Sequence, residues 1–241
     1  MIRRRRPGLA LGLAVLALLL SGCVYLRLWE LKRQLGKFDT HFSLQTDDGL
    51  GIICLNPVVR TGDIRWIGAK PETVKTLGQA EHWRLRMVKQ LPAGVTEPAK
   101  YDILLELSFV DDKLTRVTIP EQYFASFPKA LVIGIIRSFG SGKIDQTQKK
   151  IEATVGTSEQ AGSRPRLDSI NRLLGQPSDT RVDGAMTVMR YRFVPATTEP
   201  DPGVFDMTMT FDTASGELRR WHSRTPVGGI GFKFAPDPKS S

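Results

Sequence analysis

Cys23 is the residue best placed to do chemistry, because it closes the tetrapeptide Leu20-Ser21-Gly22-Cys23 at the end of an apolar run. Small residues followed by a cysteine in that position mark a cut after which the cysteine becomes a lipidated N-terminus, so Cys23 is the expected lipid attachment point. Two pairs of arginines also have a spacing that matters. Arg84 with Arg86, and Arg190 with Arg192, put two guanidinium groups on one face of a strand, where they are able to hold acidic side chains or phosphate bidentately. The same four residues suit a solvated strand face better still, with their stems lying along it. They are the candidate partner-binding residues.

Other chemistry is argued against residue by residue. His41, His82 and His222 have no second His or Cys at ligand spacing, which argues against zinc. Gly140-Ser141-Gly142-Lys143 lacks the first glycine of a phosphate loop, and Ile144 stands where Ser or Thr should follow the lysine. No Gly-x-Ser-x-Gly elbow occurs. Cys54 lies among Ile52, Ile53 and Leu55, a context that raises a thiol pKa. Asp47-Asp48 and Asp111-Asp112 stand beside Gly or Lys, as turn formers do. The expectation is no catalytic residue, no metal and no cofactor.

The elements that would deliver Cys23 to a membrane precede it. Arg3 to Arg6 form a basic n-region, Leu9 to Leu20 an apolar h-region, and Ser21-Gly22 the small-residue cut, so residues 1–22 read as a signal peptide. A second reading stays open: no charge interrupts Pro7 to Leu26, long enough to cross a bilayer uncleaved as an inner-membrane anchor. Either way the arginine cluster stays in the cytoplasm, and residues from about 30 onward emerge on the far side. By resemblance to Gram-negative lipoproteins, in which an aspartate after the cysteine retains the protein at the inner membrane, Val24 favours the outer membrane. Removing the four signal arginines takes the formal charge from +9 to +5, compatible with nearby anionic headgroups and no argument for nucleic acid. Cys54 then remains as the one unmodified cysteine, so no intramolecular disulfide is expected.

After the cysteine, Tyr25, Leu28, Leu31, Leu35 and Phe38 recur at spacings of three and four, predicting a helix over Val24 to Phe38 with Arg27, Glu30, Lys32, Arg33, Gln34 and Lys37 on its polar face. It either lies against headgroups or packs on the domain that follows. Further on the chain repeats itself. A shift of 106 positions lays Ile64 on Ile170, Pro71 on Pro177, Gly78 on Gly184 and the first arginine pair on the second; a shift of 104 lays Tyr101-Asp102 on Phe205-Asp206 and Leu114 on Leu218. Each copy alternates as a half-buried strand does, with Trp83, Leu85 and Met87 opposite the first arginines, and Met189, Tyr191 and Phe193 opposite the second. A second strand follows in each (Tyr101 to Phe109; Phe205 to Phe211), then a turn and a third strand. Short helices ending in Gly and Pro precede them, over Arg60 to Ile67 and Leu167 to Leu174. Between the copies, Phe124, Phe127, Leu131, Ile135 and Phe139 predict one connecting helix clamped between two sheets, followed by a polar segment and a flexible linker over Gly156 to Pro165. Trp83 and Trp221 read as core anchors ahead of interface residues.

The second copy is similar to the SmpA/OmlA family, the BamE-like small outer-membrane lipoproteins. The resemblance rests on Leu174-Gly175-Gln176-Pro177, Gly184, Arg190-Tyr191-Arg192-Phe193, Met209-Thr210-Phe211-Asp212 and Gly216-Glu217-Leu218. It covers roughly residues 165–223 and more faintly 58–119; the chain is about twice the family's length and lacks its polar linker after the cysteine. The resemblance implies an α+β fold of two similar modules, each a short helix on a three-stranded antiparallel meander, joined by an amphipathic helix. The expected organisation is a signal at 1–22, a lipidated Cys23 and helical tether at 23–40, a first module at 41–120, a connecting helix and linker at 121–163, a second module at 164–234 and a disordered tail at 235–241. The expected function is a non-enzymatic envelope lipoprotein, held to the outer membrane by lipid on Cys23, that binds an envelope protein in outer-membrane assembly or envelope stability. The alternative is an inner-membrane-anchored periplasmic binding subunit.

Overall fold

The computed structural model describes residues 23–92, 94–156 and 164–234. The expected signal peptide (1–22), most of the expected linker and the expected tail (235–241) lie outside the described residues. Within them the order is α1 (Val24–Leu35), α2 (Phe38–His41), β1 (Phe42–Gln45), β2 (Leu50–Cys54), α3 (Thr61–Trp66), β3 (Thr73–Leu77), β4 (Ala80–Gln90), β5 (Ile103–Val110) and β6 (Lys113–Ile119). It continues with α4 (Lys129–Ser141), β7 (Lys143–Asp145), β8 (Lys150–Val155), α5 (Leu167–Leu174), β9 (Asp179–Asp183), β10 (Met186–Pro195), β11 (Phe205–Asp212), β12 (Leu218–Thr225) and β13 (Gly228–Phe234).

These strands make one mixed sheet of 13, in the order β1-β2-β6-β5-β4-β10-β11-β12-β13-β8-β7, with β3 and β9 beside β4 and β10. This overturns the expected pair of small α+β modules: there is one sheet, mostly strand, and no clamp helix between two. The reason is physical. Alternation reports the face to which each side chain points and says nothing about what lies along a strand's edge. The missed edge is where β4 and β10 pair antiparallel, Met87 to Gln90 against Pro195 to Arg192.

At that joint Val88 lies opposite Val194, its counterpart 106 positions on, so equivalent residues meet across a local two-fold. On either side the chain runs helix, hairpin, helix and four strands: α1, β1–β2, α3 and β3–β6 in the first half, α4, β7–β8, α5 and β9–β12 in the second. Details recur with the elements. Single bridges Arg60 to Lys113 and Arg166 to Glu217 lie at the same place, and β5 and β11 carry register shifts at Ser108/Phe109 and Thr210/Phe211. Leu104 faces Arg86 and Asp206 faces Arg192, so β5 and β11 correspond at a shift of 102 and not at the expected 104. The polar strands β3 and β9, exposed throughout, form hairpins closed by Gly78-Gln79 and Gly184-Ala185. The positive φ of each glycine, 62° and 58°, meets what a two-residue hairpin turn demands.

Each half also grips the other. The loop after β4 reaches α5: Lys89 donates to the Leu174 carbonyl at 2.6 Å and pairs with Glu97 at 2.5 Å, while Gln176 N donates to Glu97 at 2.9 Å. The loop after β10 reaches α3 in the same sense, where Arg65 meets Glu199 at 3.2 Å and Lys70 donates to the carbonyls of Pro200 and Asp201. Reciprocal contacts of this kind make the halves mutually dependent.

The core has three connected parts. The largest holds Tyr191, Phe193, Met209, Phe211 and Leu218 under Ile170 and Leu174 of α5 and Leu131 and Ile135 of α4. The second gathers Trp83, Leu85, Leu107, Phe109 and Leu114; the third holds Phe38, Phe42, Leu50 and Ile52. Each such side chain contributes about 1.5–3 kcal/mol when withdrawn from water. Helix α4 packs on β8 and also against α1, which it crosses closely enough that a Cβ on Gly140 would fall 2.2 Å from the Gly36 nitrogen.

Candidate membrane-anchoring face

Cys23 stands immediately before α1 with an extended backbone, φ −76° and ψ 124°, and its carbonyl accepts from the amides of Leu26 and Arg27. No flexible spacer separates it from the helix, so whatever holds Cys23 holds α1 directly. The thiol position is half-exposed.

The seating of α1 differs from the expected one. Arg27, assigned to the polar face, forks onto Asp63 of α3, with Nε to Oδ2 at 2.7 Å and Nη2 to Oδ1 at 2.6 Å. Asp63 is 1 % exposed and also accepts from the Arg60 amide at 2.9 Å. The Asp63 hydrogen bond raises the Arg27 guanidinium pKa further above its ordinary range. Gln34, also assigned outward, is buried and donates to the Asn56 carbonyl at 3.1 Å. These two polar anchors roll the helix, so Leu31 and Leu35 pack on the core while Tyr25, Leu26 and Trp29 face outward at 66 %, 43 % and 59 % exposure. The Tyr25 ring meets Trp66 of α3 edge-on at 5.3 Å between centroids. A patch of Tyr, Leu and Trp therefore lies within the first two turns after Cys23, with Arg33 and Lys37 exposed further along. Leu26 and Trp29 were missed because the stronger stripe of Leu28, Leu31 and Leu35 masked their spacing, and Trp66 because only the fold brings α3 beside Tyr25.

The four candidate arginines are held by the fold to different degrees. Arg86 pairs with Asp102 and with Glu72, both at 2.9 Å; Arg84 lies 3.6 Å from Glu72; Arg192 pairs with Asp206 at 2.9 Å. Arg190 is exposed and forms no side-chain ion pair among the described residues. They are not brought together as one cluster. Trp83 is buried at 1 % exposure under the Arg65 guanidinium, 4.2 Å from the ring centroid, and Trp221 packs between Phe127 and Phe232.

The remaining reactive groups lie apart. Burial pushes the Cys54 thiol up to about 11. Asp111 and Asp112 form the β5–β6 turn at positive φ, and Asp112 accepts from Thr61. Gly142 ends α4. Among the described residues no three His, Cys, Asp or Glu side chains converge as a metal site, and no described helix is long and apolar enough to cross a membrane. Comparison with protein-family models, with curated proteins and with solved structures returned no match.

Proposed function

We propose that the chain is a lipid-anchored, non-enzymatic protein of the bacterial cell envelope, attached through Cys23 to the periplasmic face of the outer membrane, where it acts as a protein-binding accessory factor. The observation that carries this reading is the absence of a spacer between Cys23 and α1 together with the outward Tyr25, Leu26 and Trp29. Amphipathic aromatic rings favour the headgroup level, where one end is apolar and the other wet. A lipid on Cys23 and these rings then act on the same short segment, and stable anchoring needs more than one such attachment. The non-enzymatic part is supported by the ionisable groups that do meet: Arg27 with Asp63, Lys89 with Glu97, and Arg86 with Asp102 each join separate elements and neutralise one another. A role in outer-membrane assembly or envelope stability follows the resemblance of residues 165–223 to the SmpA/OmlA family.

Mass spectrometry of the N-terminus of chain recovered from membranes tests the anchor. An acylated Cys23 is expected; an intact Met1 overturns it in favour of an uncleaved inner-membrane helix. Crosslinking in intact cells followed by affinity capture tests the partner, and the assembly role fails if no envelope protein is recovered.

A further inference from the structure

The second half carries one strand that the first lacks, and that strand opens a trough. In the first half β6 pairs directly with β2. In the second, β13 is inserted between β12 and β8, antiparallel to one and parallel to the other. It opens Gly228-Gly229-Ile230-Gly231, so two cross-strand rows have no side chain at their centre. One row reads Arg224, Gly229, Lys150; the next reads His222, Gly231, Glu152. Strand spacing sets Arg224 and Lys150 about 10 Å apart across the glycine. Lys149, in the turn before β8, closes one end, and the cavity they bound is about 460 Å³.

The glycines are required by what lies over them. A Cβ on Gly229 would come 2.9 Å from His222 Nε2, and one on Gly228 would come 2.4 Å from the Lys149 carbonyl oxygen. In the first half Gly51 of β2 lies under a side chain in a similar way: a Cβ there would fall 2.8 Å from an Arg116 nitrogen. Charge in the trough is unbalanced. Glu152 is held by Lys150 at 2.5 Å and by Lys233 at 3.1 Å, while Lys149 and Arg224 form no ion pair among the described residues. Burial first, and then the charges of Lys150 and Arg224, hold His222 below the ordinary imidazole range against an opposing pull from Glu152.

We infer that this trough binds a phosphate group, with Lys149, Lys150 and Arg224 supplying the charge and His222 lying against the ligand. Several separate cations around a glycine floor suit the spread oxygens of a dianion; one carboxylate would be satisfied by a single arginine fork. A phosphate in this position reverses the local field that disfavours a charged His222. The same phosphate chemistry reaches the trough on a soluble ester or on a phospholipid headgroup.

The test follows the His222 ring by NMR as pH is varied, with the purified full chain in detergent and pyrophosphate as the soluble probe, alongside calorimetric binding. Pyrophosphate is expected to bind and to raise the His222 midpoint. The double substitution Lys149→Gln with Arg224→Gln is expected to weaken binding about tenfold or more, as loss of charge-assisted hydrogen bonds does. The double substitution Lys75→Gln with Arg181→Gln, an equal loss of charge on the exposed strands β3 and β9, leaves binding unaltered. Gly229→Ala, which puts a methyl against the imidazole, blocks the trough by a second route. A His222 response only in phosphatidylcholine nanodiscs containing phosphatidic acid assigns the phosphate to a membrane surface. The inference is overturned if His222 moves with neither probe, if acetate matches pyrophosphate, or if the double variant binds as tightly as the parent.

Discussion

The two halves share their element order, their bridges and their bulges, yet they meet the rest of the molecule differently. In the first half the sheet is closed off tightly: β2 lies directly on β6, Arg116 lies over Gly51, and Arg27 of α1 reaches down to a buried Asp63. In the second half β13 holds β8 one strand further out, His222 lies over its Gly229, and the position of Asp63 is taken by Ser169. The common parts are those the joint needs, namely the helix ends and loops that reach across Val88 and Val194. The parts that differ face outward, one toward α1 and the other toward a basic trough.

The comparison breaks most severely at Asp63. Asp63→Ala removes the buried carboxylate that Arg27 forks onto and that accepts from the Arg60 amide, and removing one partner of a buried pair costs about 3–5 kcal/mol. Ser169→Ala, the matching change in the second half, removes only the hydroxyl that Arg172 meets at 3.2 Å and is expected to stay within about 0.5 kcal/mol. Chemical denaturation of both variants measures the contrast. Equal losses would show that α1 is not pinned by this pair. Next in size is the crossing of α1 with α4, which joins the halves a second time. Gly140→Ala drives a methyl into the Gly36 backbone, and overpacking of this kind costs about 1–3 kcal/mol. Gly62→Ala, whose Cβ would meet nothing within 4 Å, is the matched control in α3.

How much of this was legible in the chain depended on the kind of information asked for. Faces were legible: Trp83, Leu85 and Met87 against Arg84 and Arg86 alternate as written, and the helix over Leu167 to Leu174 has the expected ends. Edges were not, because Lys89 and Gln90 carry no mark that Phe193 and Arg192 will lie beside them. The hairpin of β7 and β8 was hidden for a related reason. Its first strand, Lys143 to Asp145, is exposed on both faces and so has no period. Strands β3 and β9 share that fault, though Gly78 and Gly184 at the turns were signals that went unused. The outward face of α1 differs from the expected one by a roll of the helix, since hydrophobic spacing alone does not weigh the pull of Asp63 on Arg27. The trough was beyond reach, because its basic residues come from two separate places, Lys149-Lys150 and Arg224, which face each other only across β13.

A gentler way to separate the halves is acid. Hydrogen bonds from Lys150, and then from Lys233, hold the Glu152 carboxyl down at about 2, below its ordinary value near 4.5. A depressed carboxylate stabilises the fold at pH values above its unfolded pKa. That contribution is lost as pH falls through the window between about 4.5 and about 2. Hydrogen exchange at the β8 and β13 amides should therefore quicken in that window more than at β2 and β6, and Glu152→Gln should remove the difference. Uniform quickening across the sheet would contradict it.

The smallest expected effect concerns the repeated arginines themselves. Arg86 is engaged by Asp102 and Glu72 where strand β4 leaves the joint, whereas Arg190 projects from the face of β10 without an ion pair among the described residues. If Arg86 is structural and Arg190 is spare, Arg190→Gln changes stability by no more than about 0.5 kcal/mol. Arg86→Gln leaves Asp102, 7 % exposed, without its strongest partner and costs more. Denaturation midpoints of the two variants order them, and the reverse order would mean that Arg190 supports the sheet in a way its surroundings do not show. Should Arg190→Gln leave stability alone but weaken capture of an envelope partner, Arg86 serves the fold while Arg190 serves recognition.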